Sequence, residues 1–263
     1  MPSNRKVEEK LLRREKRYDI ERRMREKRSE EYEVLEEVFD KSTLMTIYQF
    51  MNSGVIKKVQ GIVNSGKESR VYLGIAPEGR ELALKIYLIV SAEFRKGMLM
   101  YIQGDPRFNN VKHDTKSLVY SWALKEFKNL RKAYDSGVHV PKPIIVKNNV
   151  LIMEFIGKDG VPAPLLRDIT LEDPETVYQK LLGCIKTLYK KARLVHGDLS
   201  EYNVMMWKGE PVVFDVSQAV PLEHPAADKL LHRDIENLNN YFYRLGIKVK
   251  PLEAAYEWVK TNE

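Results

Sequence analysis

The order of the predicted elements along the chain constrains the fold more than any other feature of the sequence. Residues 55–88 alternate apolar and polar positions around a turn signal at 77–80, which predicts strands joined in a hairpin. Apolar runs at 144–146 and 150–155 predict two more strands, and helical patterns dominate from residue 174 onward. Strands followed by helices indicate an α+β fold class with a β-rich first lobe and a helical second lobe.

Two helices are expected in the first half of the chain. Residues 43–51 have the spacing of a short helix, for which Ser42 or Thr43 supplies a capping hydroxyl. Residues 115–135 show a similar spacing over a longer stretch, and Gly137 provides the C-terminal stop.

The segments group into a charged arm and one two-lobed domain. Residues 1–42 alternate Arg, Lys and Glu, which is typical of a solvated helix or a disordered tail. The domain covers residues 43–263, with the N-lobe at 43–155 and the C-lobe at 156–263. Residues 89–114 are mostly polar with Gly and Pro, which predicts a long functional or mobile loop. The cleft between the lobes is the expected ligand site.

Composition places the protein among soluble chains. Hydrophobic residues make up 43% of the chain, yet no apolar run approaches the ~20 residues that span a bilayer. We therefore expect no membrane association. Cys184, the single cysteine, suits a reducing compartment and sits in a pattern typical of a buried core thiol, so a cytoplasmic location is predicted. The net charge of +7 is compatible with an RNA-rich partner, and equally with solubility alone.

A polar loop between two apolar runs carries the strongest chemical signal. His196 to Asn203 reads HGDLSEYN, and Asp215 ends the apolar run that follows. Asp198 can orient or accept a hydroxyl proton, while Asn203 and Asp215 offer the oxygen ligands that Mg²⁺ prefers. Turn residues without chemistry are the alternative, since Asp and Asn favour turns. His196 and the flanking apolar runs favour a phosphoryl-transfer site.

A glycine-containing turn at residues 61–69 is the predicted phosphate loop. It matches G-x-x-x-x-G-K, but Glu68 occupies the position where a P-loop NTPase needs a hydroxyl. A strand-turn-strand flap remains, in which Ser65, Lys67 and Ser69 would face anionic oxygens.

Lys85 lies within the apolar segment LALKIY, where an unpartnered ammonium would be costly. Its pattern matches the kinase strand whose lysine reaches the α- and β-phosphates, and Glu126 on the next helix is the predicted partner. The alternatives are an edge-strand lysine with its head in water and a surface carboxylate.

The remaining nucleotide-binding positions are expected around the junction of the lobes. Glu154 and Ile156 fall where a hinge would supply backbone hydrogen bonds to adenine and a wall to its pocket. Val63, Val71 and Ala83, on the predicted strands, are assigned to the same nucleotide site.

These motifs together resemble the RIO family of atypical serine/threonine protein kinases. The resemblance is closer to its type-one than to its type-two subfamily. The segments that carry it are SGKES at 65–69, HGDLSEYN at 196–203, DVSQAV at 215–220, HPAA at 224–227 and RD at 233–234.

The resemblance implies a two-lobed protein-kinase-like fold that uses ATP and Mg²⁺, with Mn²⁺ as an alternative ion. It also implies Ser/Thr phosphorylation, autophosphorylation and ATP hydrolysis. Asp198 would be the catalytic acid/base, Asn203 and Asp215 the metal ligands, and Asp215 in addition the phosphate acceptor. The implied partner is a precursor of the small ribosomal subunit, made of rRNA and proteins.

Departures from ordinary kinases keep two other functions open. Gly197 replaces an Arg, Val216-Ser217 replaces Phe-Gly, and no A-P-E segment follows, so no conventional activation segment is expected. One alternative is a small-molecule phosphotransferase, which SGKES and DVSQ argue against. The other is a nucleotide-controlled RNA-particle binding factor. The presence of all three candidate catalytic residues, Asp198, Asn203 and Asp215, argues against it.

Overall fold

The α+β organisation predicted from the sequence is confirmed by a computed structural model of the chain. The chain divides between Tyr48 and Gln49 into two units; residues 49–155 of the N-lobe and the whole C-lobe lie in the second. The boundary predicted at residue 42 stays a prediction, because most of the charged arm lies outside the described residues. The structure describes residues 39–89, 98–108, 111 and 114–261.

The N-lobe is built on a five-stranded antiparallel sheet in the order β1-β2-β3-β5-β4. Its strands are β1 (Lys58–Ser65), β2 (Ser69–Ile75), β3 (Glu81–Tyr87), β4 (Pro143–Lys147) and β5 (Val150–Glu154).

Strand β3 occupies the middle of this sheet, and its residues from Leu82 to Tyr87 are all buried. Lys85 is paired with Val71 of β2 on one side and with Leu151 of β5 on the other. The edge-strand alternative for Lys85 is therefore wrong, and its ammonium needs a partner inside the protein.

The helix before β4 packs against β4 and β5, and helices form most of the C-lobe. Asp114 begins the helix before β4 by accepting a hydrogen bond from the Ser117 N–H at 2.9 Å, and Gly137 follows the helix end with a φ of 84°. The helices are α1 (Lys41–Asn52), α2 (Thr115–Asp135), α3 (Pro174–Thr187), α4 (Ala227–Arg244) and α5 (Leu252–Lys260).

Short strand pairs hold the loops of the C-lobe. They are β6 (Gly157–Lys158) with β7 (Val161–Pro162), β8 (Leu194–Val195) with β11 (Val220–Pro221), and β9 (Val204–Trp207) with β10 (Glu210–Val213). The pair β9–β10 lies directly between the predicted metal ligands Asn203 and Asp215, and so fixes their separation.

Two local predictions are wrong. The capping group of α1 is Asp40, not Ser42 or Thr43, because the helix already begins at Lys41 and the Asp40 carboxylate accepts the Ser42 N–H at 2.8 Å. The predicted loop at 89–114 is partly helical: residues 98–102 form a helical turn that buries Met98 and Tyr101. Residues 106–108 of the same stretch form a short 3₁₀ helix, whereas 90–97, 109–110 and 112–113 lie outside the described residues.

Cys184 is partly buried, which is less than the fully buried core thiol that the sequence pattern predicts. Cys184 packs against the main hydrophobic core, and burial raises the pKa of its thiol to about 11. Within the described part of the chain, no helix is both long and apolar enough to cross a membrane.

Two glycines give opposite expectations for stability. A Cβ at Gly157, which starts β6 beside the hinge, would lie 2.2 Å from the backbone oxygen of Val161, whereas one at Gly183 in α3 would meet nothing within 4 Å. Gly157→Ala should lower the free energy of unfolding by about 1–3 kcal/mol. Gly183→Ala should raise it by roughly 0.5–1 kcal/mol. Urea unfolding measures both, and equal effects would contradict the close approach at Gly157.

Candidate active site

A cavity of about 380 Å³ opens between the N-terminal sheet and the C-lobe. Seven of the residues assigned to the site from the sequence line it, and they come from both lobes. They are Val63, Val71, Ala83, Glu154, Ile156, Asn203 and Asp215. Further lining residues carry no local sequence signal and become visible only in the folded chain, among them Pro141, Met153, Leu165, Met205 and Phe214.

Some of the backbone groups of the hinge, residues 154–156, already make hydrogen bonds within the protein. The Glu154 N–H already donates to the Lys142 carbonyl at 2.9 Å, and the Ile156 carbonyl accepts the Ala163 N–H at 2.9 Å. Both bonds hold the hinge in shape, and the Glu154 N–H is therefore not available to a ligand.

Lys85 joins the two lobes electrostatically. Its Nζ lies 2.8 Å from Glu126 Oε1 and 2.8 Å from Asp215 Oδ1, so the ion pair predicted with Glu126 is present. Burial alone would lower the pKa of Lys85, but Asp215 and Glu126 outweigh it and hold that pKa well above its ordinary value. The Tyr87 hydroxyl donates to Oε2 of Glu126, so both carboxylate oxygens of this fully buried group are satisfied.

Asp215 is held from several directions while part of its side chain stays accessible. Its φ of 57° is in the left-handed region, which is rare for a residue with a Cβ and persists only where surrounding contacts enforce it. Oδ1 accepts from Lys85 and, at 2.8 Å, from the Ser217 hydroxyl. Burial favours a raised pKa for Asp215, but the Lys85 ammonium outweighs it and the pKa lies below its usual value.

The loop around Asp198 is organised by a buried carboxylate of α4. Asp234 accepts the Gly197 N–H at 2.7 Å and the Leu199 N–H at 2.8 Å, one on each oxygen. Gly197 has a φ of 78°, and a Cβ there would lie 3.3 Å from the Gln218 carbonyl. The Arg that ordinary kinases carry at this position would thus be strained here.

Asn203 and His196 tie the two chemical segments together. Asn203 Nδ2 donates to the Asp198 carbonyl at 2.7 Å and lies 3.3 Å from Asp198 Oδ2. Burial lowers the pKa of His196 to about 4, so the ring is neutral. Its Nε2 donates to the Phe214 carbonyl at 3.3 Å and its Nδ1 accepts the Asp198 N–H.

The predicted phosphate loop is only partly brought to the cavity. Ser65 and Lys67 are exposed at the β1–β2 turn, Ser69 begins β2, and none of the three lines the cavity. Glu68, used in the sequence only to exclude a P-loop, is half-buried, and burial followed by the Asp215 charge raises its pKa. Glu68 does not line the cavity either, but the effect of the Asp215 charge on its pKa shows that it lies within electrostatic reach of the reactive groups.

The oxygens available in the cavity suit a hard cation. In the described part of the chain no hydrogen-bond donor reaches Asp215 Oδ2 or Asn203 Oδ1, and both residues line the cavity. Within the part of the chain that the structure describes, no group of three or more His, Cys, Asp or Glu side chains could hold a metal ion by itself. A cation that shares its coordination with phosphate oxygens, as Mg²⁺ does, fits such a site.

An antiparallel N-terminal sheet, a helical C-lobe and a lysine joining them across a cleft define a protein-kinase-like fold. The sequence matches the RIO domain family over residues 70–255. The RIO-type serine/threonine-protein kinase Rio1 of Haloferax volcanii is 40% identical over 97% of this chain and 87% of that protein. Rio1 of Methanocaldococcus jannaschii is 42% identical over 89% of this chain and 79% of that protein. The chain therefore belongs to the RIO family, as an atypical kinase of the Rio1 type.

Two further similarities mark the limits of the comparison. The serine/threonine-protein kinase RIO1 of Homo sapiens is 34% identical over 86% of this chain, which spans 40% of that protein. The crystal structure of the Rio2 kinase-ADP/Mg²⁺-phosphoaspartate complex from Chaetomium thermophilum superposes with a TM-score of 0.63 at 22% identity. That match covers 82% of this chain and 65% of the Rio2 chain, and it supports the fold.

The buried ion pair between Lys85 and Glu126 should contribute measurably to the free energy of unfolding. Lys85→Met is expected to lower the free energy of unfolding by about 3 kcal/mol, because Glu126 would keep a buried charge without its partner. Burial already raises the pKa of Glu126, so the deficit should grow as the pH rises above about 4.3, the ordinary pKa of Glu.

A double variant provides the control for this prediction. Lys85→Met/Glu126→Gln removes the unpaired charge as well and should regain most of the lost stability. Urea unfolding followed by tryptophan fluorescence compares the three proteins, and a single variant as stable as the wild type at pH 7 would rule out the buried pair.

Proposed function

We propose that this chain transfers the terminal phosphoryl group of ATP to serine or threonine hydroxyls and, in a side reaction, to water. One observation carries the proposal. Asn203 and Asp215 line the same cavity as the apolar walls formed by Val71, Ala83 and Ile156, and Lys85 contacts Asp215 at its edge. An apolar pocket for a base next to a cationic and oxygen-rich corner matches the two ends of a nucleoside triphosphate.

Asp198 is proposed as the catalytic acid/base. Burial, with a further contribution from the Asp215 charge, raises the pKa of Asp198, which brings it closer to the working pH of a proton acceptor. The substrate hydroxyl oxygen would attack the γ-phosphorus, Asp198 would accept the hydroxyl proton, and ADP would leave with the bridging oxygen. Asn203 supports the arrangement by holding the Asp198 backbone.

Mg²⁺ is the proposed cofactor, held by Asn203 and Asp215, and when bound it would neutralise charge on the ATP phosphates. The protein's own contribution is to keep these oxygens oriented, through Lys85 and Ser217 on Asp215 Oδ1. Lys67 and Ser69 are proposed to meet phosphate oxygens only when the β1–β2 turn closes over the nucleotide.

Asp215 is also the proposed phosphate acceptor. Its Oδ2 would attack the γ-phosphorus, the bond from phosphorus to the β–γ bridging oxygen would break, and ADP would leave. Water would then attack the acyl phosphate, releasing inorganic phosphate and restoring the carboxylate. The lowered pKa of Asp215 supports a carboxylate nucleophile, and the Rio2 kinase complex is described as containing a phosphoaspartate.

A precursor of the small ribosomal subunit is the proposed physiological partner, and the cytoplasm the proposed location. The net charge of +7 and the basic composition of residues 1–28 support an RNA-rich partner. The single cysteine supports a reducing compartment.

Labelled ATP tests the catalytic assignment. Asp198→Asn should lower phosphorylation of a protein substrate by roughly 10²–10⁴-fold, because the proton acceptor is lost while the shape is kept. Asp215→Asn should remove any hydroxylamine-labile label, which is the signature of an acyl phosphate. Filter-bound label and released phosphate are measured over time.

Asp159→Asn serves as the matched control, because Asp159 lies on an exposed turn with 84% of its side chain accessible. It should behave like the wild type. Equal labelling by the wild type and both active-site variants would show that the catalytic assignment is wrong.

Salt dependence tests the RNA partner. A chain lacking residues 1–28 should bind rRNA more weakly than the full chain at low salt, and its affinity should fall less steeply as salt increases. Co-sedimentation with small-subunit precursor particles over a salt series measures both effects. An unchanged affinity at low salt would show that residues 1–28 play no electrostatic part.

A further inference from the structure

Two side chains of α2 hold the backbone that follows Asp215. Lys125 Nζ donates to the Ser217 carbonyl at 2.6 Å. Asn129 Nδ2 donates to the carbonyls of Val216 and Ala219, each at 2.9 Å. Lys125 and Asn129 are four residues apart on one face of the helix, so together they grip three of the carbonyls in residues 216–219.

The Asn129 amide has every hydrogen-bonding group committed. Both hydrogens of Nδ2 go to the two carbonyls, and Oδ1 accepts from Arg107 at 2.7 Å. Arg107 is held in turn by Asp105, with NH2 2.6 Å from Oδ2. A fully satisfied buried amide of this kind has one orientation, and it fixes the position of the carbonyls that it meets.

Lys125 occupies a position that is costly for a charge. It is 1% exposed, its ammonium lies 4.4 Å from the centre of the Trp122 ring, and burial lowers its pKa to about 7. An apolar residue would pack at this place without a desolvation cost. Among the described residues the ammonium hydrogen-bonds to the Ser217 carbonyl alone, which indicates that holding this backbone is what the side chain does.

Residues 216–219, called here the gripped segment, determine where the Asp215 carboxylate lies. Asp215 adopts the left-handed conformation, and residues 216–218 turn away from it in a 3₁₀ helix. A small rotation of that turn would swing the carboxylate off the cavity wall. Between this turn and α4 the chain forms only the two-residue strand β11, which pairs with β8.

We infer that Lys125 and Asn129 are positioning residues that hold the backbone after Asp215 and so keep its carboxylate in place for metal-bound nucleotide; this inference rests on the proposed function. Glu126 lies between them in sequence and pairs with Lys85. One helix therefore fixes the lysine that contacts Asp215 and the backbone that carries Asp215.

The test separates nucleotide binding with metal from binding without it. Lys125→Met keeps the length and the apolar contact with Trp122 but removes the donor. Asn129→Asp keeps the acceptor for Arg107 but sets an oxygen against two carbonyl oxygens. Lys128→Met, on the exposed face of the same helix, is the matched control. Affinity for ADP is measured by calorimetry in Mg²⁺ and in EDTA.

Both variants should lose affinity for ADP in Mg²⁺ by roughly 10- to 100-fold, the range seen when groups that orient metal ligands are changed. Their affinity in EDTA should stay within about twofold of the wild type, because the apolar walls at Val71, Ala83 and Ile156 belong to the N-terminal sheet and the hinge and not to residues 216–219. The control should match the wild type in both conditions.

Three other results would count against the inference, each in a different way. Wild-type binding that does not depend on Mg²⁺ would overturn the proposed function, and with it this inference. If Asp215→Asn loses the Mg²⁺-dependent part and both α2 variants keep it, the proposed function stands and the positioning role is wrong. If both α2 variants also lose affinity in EDTA, Lys125 and Asn129 serve the fold as a whole and the positioning role is again wrong.

Discussion

Lys85, buried between two carboxylates, is the contact on which the rest of the site depends. Its ammonium is supplied by the central strand of the sheet, Glu126 by α2 and Asp215 by the C-lobe. A charge in this position is tolerated only when its partners are held at hydrogen-bonding distance, since an unpaired buried charge would cost several kcal/mol. Sheet, helix and C-lobe must therefore meet in one arrangement before the pair is satisfied.

In the C-lobe loops, as at Lys85, buried polar groups require partners at fixed positions. Here the groups are backbone N–H and carbonyl groups and not side-chain charges. Asp234 accepts two N–H groups from the loop that contains Asp198, and His196 bridges that loop to the Phe214 carbonyl. Loops normally exchange such groups with water, so their conformations vary. Here acceptors within the protein replace the water, so the conformation of the loop is set by its contacts with the protein.

Much of the fold could be predicted from local patterns, and the site only in part. Strand alternation and the apolar context of Lys85 are short-range signals, and they led to the central sheet and to Glu126 as partner. Asp234 entered only as part of the RD segment of the family resemblance and Lys125 not at all, because each acts on backbone groups that only the folded chain brings to it. Lys67 was favoured over Glu68 on charge alone. Neither residue lines the cavity, because the place of the turn is set by how β1 pairs with β2 and β2 with β3, which no local pattern reveals.

The place of Lys85 in the sheet has a consequence for folding itself. Side chains alternate between the two faces of a strand, so a slip of β3 by one residue would send the ammonium to the opposite face and bring Leu84 or Ile86 into its place. A sheet with this shifted register would still bury apolar surface, but it would leave the Lys85 ammonium without its partner Glu126. Lys85 thus disfavours misaligned strands as well as serving the nucleotide site. A chain that binds nucleotide must therefore have the correct strand register in its sheet.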